Sequence, residues 1–204
     1  MTIRAIFFDY GGVIATINMQ EIQKLERRYG LPDRGMWEAL FCTTEWDNVQ
    51  VGKSSESTWL KNAENQLELL ANKPIAELKK DWLTAWRKLD QKTLNLAKKL
   101  GNNYKVGMIS NATRSLNEEL KSYHKISHLF NPIINSAEVG IAKPDERIYH
   151  IAAEKIKEEP GVCLHIDDLE PNVSAAIAAG FKSIHYSGDY EELEESLKQI
   201  GINW

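Results

Sequence analysis

The run Ala5-Ile6-Phe7-Phe8 ends in Asp9, and Gly11 and Gly12 follow at once. Four apolar residues without polar alternation describe a strand buried on both faces, the kind found in a parallel sheet covered by helices. The glycines mark a tight turn at its carboxyl end, so the strand delivers Asp9 to the mouth of that turn. Burying a carboxylate there is costly unless a metal, a basic side chain or backbone donors meet it. The stretch to Ile14 also reads as an ordinary strand with an Asp-initiated turn, so its meaning depends on the rest of the chain.

After Ile14 the pattern turns helical for roughly seventy residues. Ile22, Leu25 and Tyr29 fall at helical spacing before Gly30 and Pro32, a helix stop. Leu60, Ala63, Leu67 and Leu70 repeat the pattern. Ile75, Leu78, Trp82, Ala85, Trp86 and Leu89 make a third helix, beginning just after Pro74. Five of the six tryptophans, Trp37, Trp46, Trp59, Trp82 and Trp86, lie in this block. Aromatics at that density supply a core in the first instance, with one or two left to line a pocket. The loop from Asn48 to Lys53 is its polar edge, where Lys53 is either an anion contact or an exposed, solvated lysine.

From Gln91 onward strands and helices alternate. Tyr104–Ile109, Pro132–Asn135, Val162–Ile166 and Ser183–Tyr186 are strand candidates. Helices are expected from Thr113, from Pro144 with Tyr149, Ala152, Ala153 and Ile156 on one face, from Pro171 to a Gly180 cap, and from Glu191 to Ile200. This alternation predicts an α/β fold, a Rossmann-like parallel sheet flanked by helices with right-handed crossovers. Residues 1–14 and 91–204 form that core, and residues 15–90 an all-helical insertion over the sheet's carboxyl edge, where α/β proteins place ligands.

A hydrophobic content of 43% in 204 residues is ample for a core. The net charge of −4, with basic residues scattered, offers no stripe for nucleic acid or an anionic membrane surface. Cys42 and Cys163 form neither a CxxC pair nor a disulfide framework, no segment approaches the ~20 apolar residues of a membrane span, and the short apolar run broken at Asp9 is not a signal peptide. A cytoplasmic protein is expected.

Each main strand ends in a polar signature. Ser110-Asn111 could cap a helix. Lys143 before Pro144 could be a solvent-facing lysine, although a cation at a helix start opposes the helix dipole. Asp167 and Asp168 repel each other unless a cation joins them. In this order, Asp9-Tyr10-Gly11-Gly12-Val13, Ser110-Asn111, Lys143-Pro144-Asp145 and Asp167-Asp168 with Asn172 beyond, the chain resembles the haloacid dehalogenase-like hydrolase superfamily. The likeness covers residues 3 to 14 and about 104 to 186, and the helical block stands where the family carries its substrate-covering cap.

The resemblance implies a phosphatase in which Asp9 attacks phosphorus and forms an aspartyl-phosphate that water hydrolyses. It implies Mg²⁺ held by Asp9, Asp168 and the Gly11 carbonyl, with Asp167 and Asn172 behind. It implies Ser110, the Asn111 amide and Lys143 on the phosphoryl oxygens of a small phosphorylated substrate. Gly11 is a departure, because most family phosphatases place there a second aspartate that protonates the leaving group. General acid-base catalysis is worth about 10²–10⁴-fold, or roughly 3–5 kcal/mol. Three readings follow: a phosphatase for substrates whose leaving group needs less help, such as an anomeric sugar phosphate or acyl phosphate, or one with a proton donor from the cap or the substrate; a catalytically weak protein that binds a phosphorylated ligand or partner; or a haloacid dehalogenase, against which the acidic pair speaks.

Overall fold

A computed structural model describes residues 2–75, 77–86 and 88–204, without the side chains of Thr84 and Trp86. Strand β1, Ala5–Phe8, is fully buried, as its uninterrupted apolar run requires. The helical block is framed by two short strands, β2 (Ala15–Thr16) and β3 (Lys88–Leu89), which pair antiparallel with Ala15 opposite Leu89. Between them run α1 (Met19–Tyr29), α2 (Gly35–Phe41), α3 (Thr44–Val49), α4 (Glu56–Ala71) and α5 (Leu78–Trp86). The core then continues through α6 (Gln91–Leu100), β4 (Lys105–Ser110), α7 (Leu116–Glu118), β5 (Ile133–Asn135), α8 (Ser136–Val139), α9 (Arg147–Ile156), β6 (Cys163–Asp167), α10 (Glu170–Ala178), β7 (Lys182–His185) and α11 (Tyr190–Gln199).

The five long-range strands form one parallel sheet in the order β5-β4-β1-β6-β7, with Phe8 level with Met108 on one side and Ile166 on the other. Strand β1 is therefore central, and alternate side chains enter different cores. Ile6 and Phe8 pack with Leu96 and Leu100 of α6 and Leu193 and Leu197 of α11. Ala5 and Phe7 pack with Ile148, Tyr149 and Ala152 of α9 and with Ala176 of α10. The helical block has a third core of its own, including Ile22, Leu40, Trp59, Leu67 and Trp82.

The expected strands are present, with ends shifted by one residue, and Ser110 and Asp167 are the last residues of β4 and β6 rather than loop residues. Gly30 ends α1 in the left-handed conformation with φ of 73°, as a glycine stop should. Other details differ from the sequence reading. Leu70 is exposed, because α4 buries only the narrower stripe of Trp59, Ala63 and Leu67. Leu89 belongs to β3, where pairing with Ala15 overrides the helical spacing. The helix expected from Thr113 begins at Leu116, after Thr113 and Ser115 have turned toward each other. The helix expected from Pro144 begins at Arg147, which removes the objection to Lys143 at a helix start. The packing of the Trp86 side chain lies outside the described residues. Among the described residues no helix is long and apolar enough to cross a membrane.

Candidate active site

Parallel pairing aligns the carboxyl ends of β1, β4 and β6, so the polar residues that follow each apolar run arrive on one edge. Asp9 leaves β1 with its N–H donating to the Ile166 carbonyl at 2.9 Å, which holds it beside the end of β6. The next residues close a tight loop in which the Ile14 and Ala15 N–H groups donate to the Tyr10 carbonyl at 3.0 and 2.7 Å. Gly12 sits in this loop with φ of +86°, and a Cβ there would lie 2.1 Å from Asp168 Oδ2. The glycine thus lets the first loop and the acidic pair approach closely. Gly12→Ala is expected to displace the Asp168 carboxylate and to lower stability by about 1–2 kcal/mol from backbone strain alone. Mg²⁺ titration calorimetry, with a chemical melt beside it, checks both effects.

Lys143 is the hub of the site. Its ammonium group, buried, donates to Asp9 Oδ1 at 3.0 Å, Asp167 Oδ2 at 2.5 Å and the Ile109 carbonyl at 2.9 Å, so all three protons are used. Its backbone is clamped by the side chain of Asn111, whose Oδ1 accepts from the Lys143 N–H and whose Nδ2 donates to the Lys143 carbonyl, each at 2.8 Å. Asn111 therefore positions the lysine, a function that its place after a strand does not announce. Asp167 is held on its other oxygen by the Leu169 N–H and by Asn172 Nδ2, both at 2.9 Å. Tyr149 fixes that segment in turn by donating to the Asn172 carbonyl at 2.7 Å.

One ammonium group bonds two of three neighbouring carboxylates. Burial would raise Asp167, but Lys143 outweighs it and holds the group below its ordinary range. Asp9 is pushed up to about 7, chiefly by burial and then by Asp167 and Asp168, against the pull of Lys143. Asp168 is pushed up to about 6 by burial and by its neighbour Asp167. Carboxylate oxygens of Asp9, Asp167 and Asp168 all lie within 4.8 Å of one another. The cluster holds more negative charge than its lysine compensates and presents hard oxygen donors alone, the donor chemistry that suits a divalent cation such as Mg²⁺.

His165 was not anticipated. Its ring is completely buried behind Asp167, and burial with Lys143 nearby brings its pKa down to about 3, so it stands there as a neutral imidazole. Lys53 is exposed, and no contact brings it to the cluster.

Beside the cluster a cavity of about 430 Å³ opens between core and cap. Ser110, Asn111 and Tyr10 floor it, and Phe41, Trp46, Trp59 and Trp82 from the cap wall it. The cap's aromatic residues are thus both core and lining, since Trp59 and Trp82 are buried while Phe41 and Trp46 are half-buried. The cap is anchored here by Glu56 at the start of α4, which accepts from Thr113 Oγ1 at 3.0 Å and Ser115 Oγ at 2.5 Å and pairs with Lys79 of α5 at 3.0 Å. At the same junction Gly52 lies so near the Ala137 carbonyl that a Cβ would stand 2.3 Å from it.

The haloacid dehalogenase-like hydrolase family model matches residues 3–180. The chain belongs to that family. A haloacid dehalogenase-like hydrolase of this sequence is 25% identical over 201 residues, 98% of each chain, to the sesquiterpene phosphatase astK of Aspergillus oryzae. Its fold is similar to that of a family enzyme from Bacteroides thetaiotaomicron, solved in complex with magnesium and inorganic phosphate, with a TM-score of 0.70 at 19% identity over 94% of this chain and 98% of that one. It is also similar to the L-2-haloacid dehalogenase of Xanthobacter autotrophicus, with a TM-score of 0.69 at 18% identity over 99% and 85%. The fold alone does not separate phosphorus from carbon chemistry, and the residues at the site must do so.

Proposed function

We propose that this hydrolase is a Mg²⁺-dependent phosphomonoesterase that acts on a small phosphorylated metabolite through an aspartyl-phosphate on Asp9, with residues 15–90 as its cap. The observation that carries the reading is the cluster itself: Asp9 and Asp167 on one buried Lys143, with Asp168 left uncompensated beside them. Asp9 Oδ1 accepts from the Tyr10 N–H at 2.7 Å and from Lys143, so those two donors orient the carboxylate and leave Oδ2 to attack. The new Oδ2–P bond forms as the P–O bond to the leaving group breaks, and the leaving oxygen takes up a proton from solvent. Water then attacks phosphorus, the Oδ2–P bond breaks, the water's proton leaves to solvent or phosphate, and inorganic phosphate and the carboxylate are restored. Lys143 would turn one of its three donors from its present partners to the transferring group beside Asp9, with Ser110 and the Asn111 backbone N–H on the cavity floor to hold its oxygens.

Mg²⁺ would be held by Asp9, Asp168 and the Gly11 carbonyl, with Asp167 and Asn172 behind, and supplies the charge that lets two anions meet. Gly11 brings no carboxyl group to the loop, so substrates with leaving groups that depart with little protonation should be turned over fastest. The dehalogenase reading is disfavoured by Asp168, which that chemistry leaves without a task. The weak-binder reading differs from the proposal only in turnover.

The test is phosphate release from a panel of small phosphates with Mg²⁺ and with EDTA. Release in the Mg²⁺ arm alone is expected, and halide release from 2-chloropropionate without Mg²⁺ would favour the dehalogenase instead. Mg²⁺ at a hundred times its Kd should also stabilise the fold by about 2.7 kcal/mol, read as a rise in Tm. An unchanged Tm across a millimolar titration would count against the cation.

A further inference from the structure

The cavity above Ser110 carries information on the part of the substrate that the phosphate-binding residues do not touch. Its four cap aromatics touch one another and do not stand apart as a cage. Phe41 lies 4.9 Å from Trp46, 5.3 Å from Trp82 and 6.0 Å from Trp59, centroid to centroid, and Trp46 lies 5.2 Å from Trp59. They form one continuous apolar wall, extended by Leu60 and Leu83. A volume of about 430 Å³ is within the range of small-molecule pockets and exceeds what a phosphoryl group needs.

The polar groups around this wall pair with one another. Glu56 is taken by Lys79, Thr113 and Ser115. Glu118 accepts from Ser122, and Glu119 from Tyr10 at 3.1 Å with the His124 ring at 3.2 Å. The Trp59 indole N–H donates to the Leu40 carbonyl at 2.6 Å. A ligand's hydroxyl groups entering here would lose water and compete with these existing pairs, which is unfavourable. The charge balance is equally selective, because among the described residues three wall carboxylates, Glu56, Glu118 and Glu119, face a single cationic side chain, Lys79, itself paired. A second phosphate or a carboxylate on the substrate would be repelled.

We infer that the leaving group of the substrate is neutral and largely apolar, so that the enzyme hydrolyses the monophosphate of an allylic terpenoid or aryl alcohol, whose oxygen departs with less protonation than a plain alkanol's, in preference to a sugar phosphate, bisphosphate or nucleotide. The inference rests on the phosphatase reading for its chemistry, and on the cavity wall for its specificity. An apolar leaving group takes its water-shedding free energy from the cap while Ser110 and Lys143 keep the phosphoryl end at Asp9. The half-buried Trp46 is the position where this specificity is set with the least consequence for the cap's core.

Two measurements on the intact protein test binding and reaction separately. In calorimetry with Mg²⁺, (2-naphthylmethyl)phosphonate is expected to bind on the order of 10–100-fold more tightly than methylphosphonate, and Trp46→Ala to shrink that ratio. Equal affinities in the wild-type protein overturn the inference. In turnover, kcat/KM for farnesyl phosphate or 2-naphthyl phosphate should exceed that for glucose 6-phosphate by about tenfold or more, with acetyl phosphate as the substrate that needs no chamber. Hydrolysis of acetyl phosphate with glucose 6-phosphate, phosphocholine or fructose 1,6-bisphosphate preferred to the apolar esters overturns the specificity and leaves the phosphatase standing. Selective phosphonate binding with no hydrolysis of any ester, acetyl phosphate included, supports the chamber and defeats the phosphatase.

Discussion

Asp9→Asn is expected to lower Mg²⁺-dependent phosphate release by on the order of 10⁴–10⁶-fold, the scale on which loss of a covalent nucleophile is felt. The amide is the same size as the carboxylate and its carbonyl oxygen can still accept from the Tyr10 N–H, so the loop after β1 should keep its shape. What disappears is the anionic oxygen that, on the proposed mechanism, forms the bond to phosphorus. The substitution also removes one of the three clustered carboxylates, and burial already holds Asp9 up at about 7. The metal-free variant should therefore melt no lower than the wild type. Activity lost with Tm retained is the signature of a reacting group rather than a structural one. Residual turnover within tenfold of wild type would mean that Asp9 is not the nucleophile, while a variant that neither reacts nor did so before substitution would point to the weak-binder reading.

Lys143→Met is expected to be among the most damaging single changes to the fold. The lysine is 4% exposed, and its methylene stem could be replaced by methionine almost without change of volume. The loss lies in the charge: Asp9 and Asp167 would be left buried without their common cation, and the Ile109 carbonyl without a donor. Removing one partner of a buried ion pair typically costs about 3–5 kcal/mol. Against a total stability of about 5–15 kcal/mol, that is a large share, and for a chain of this size it corresponds to a Tm lowered by roughly 6–20 °C. Combining the change with Asp167→Asn should restore part of the loss, because the second substitution removes the charge stranded by the first. Chemical denaturation of the two single variants and the double variant closes the cycle. A Lys143→Met protein within 1 kcal/mol of wild type would show that the ammonium is not what holds the carboxylates together. Activity should fall as well, since the proposed mechanism asks the same group to meet the transferring phosphoryl oxygens.

How much of this was legible beforehand can be judged residue by residue. The central strand and its partners were readable because strands buried on both faces are mostly apolar runs, even with His165 inside β6, and such runs end visibly at Asp9, Ser110 and Asp167. The convergence of those ends follows from parallel pairing, which needs no knowledge of side-chain detail. Gly30 could be read as a helix stop because a residue with φ of 73° favours glycine wherever it stands. By contrast, β2 and β3 are two residues each, and α2 and α3 no more than seven, too short for any periodicity to rise above its surroundings. The clamp of Asn111 on Lys143 joins residues 32 positions apart, and the latch of Glu56 on Thr113 and Ser115 joins residues nearly twice as far apart.

The sequence by itself therefore determined the sheet, its order of polar ends and the membership of the acidic cluster, because each is written in a local pattern of apolar runs and punctuating residues. Tertiary structure alone decided that one ammonium serves Asp9 and Asp167 together, and that Trp46, Trp59 and Trp82 wall a chamber as well as packing the cap's core. The physical reason is that a tryptophan's spacing along a helix says which stripe is apolar, whereas what that stripe faces, a neighbouring helix or a cavity over the catalytic edge, is settled only when distant parts of the chain close on it.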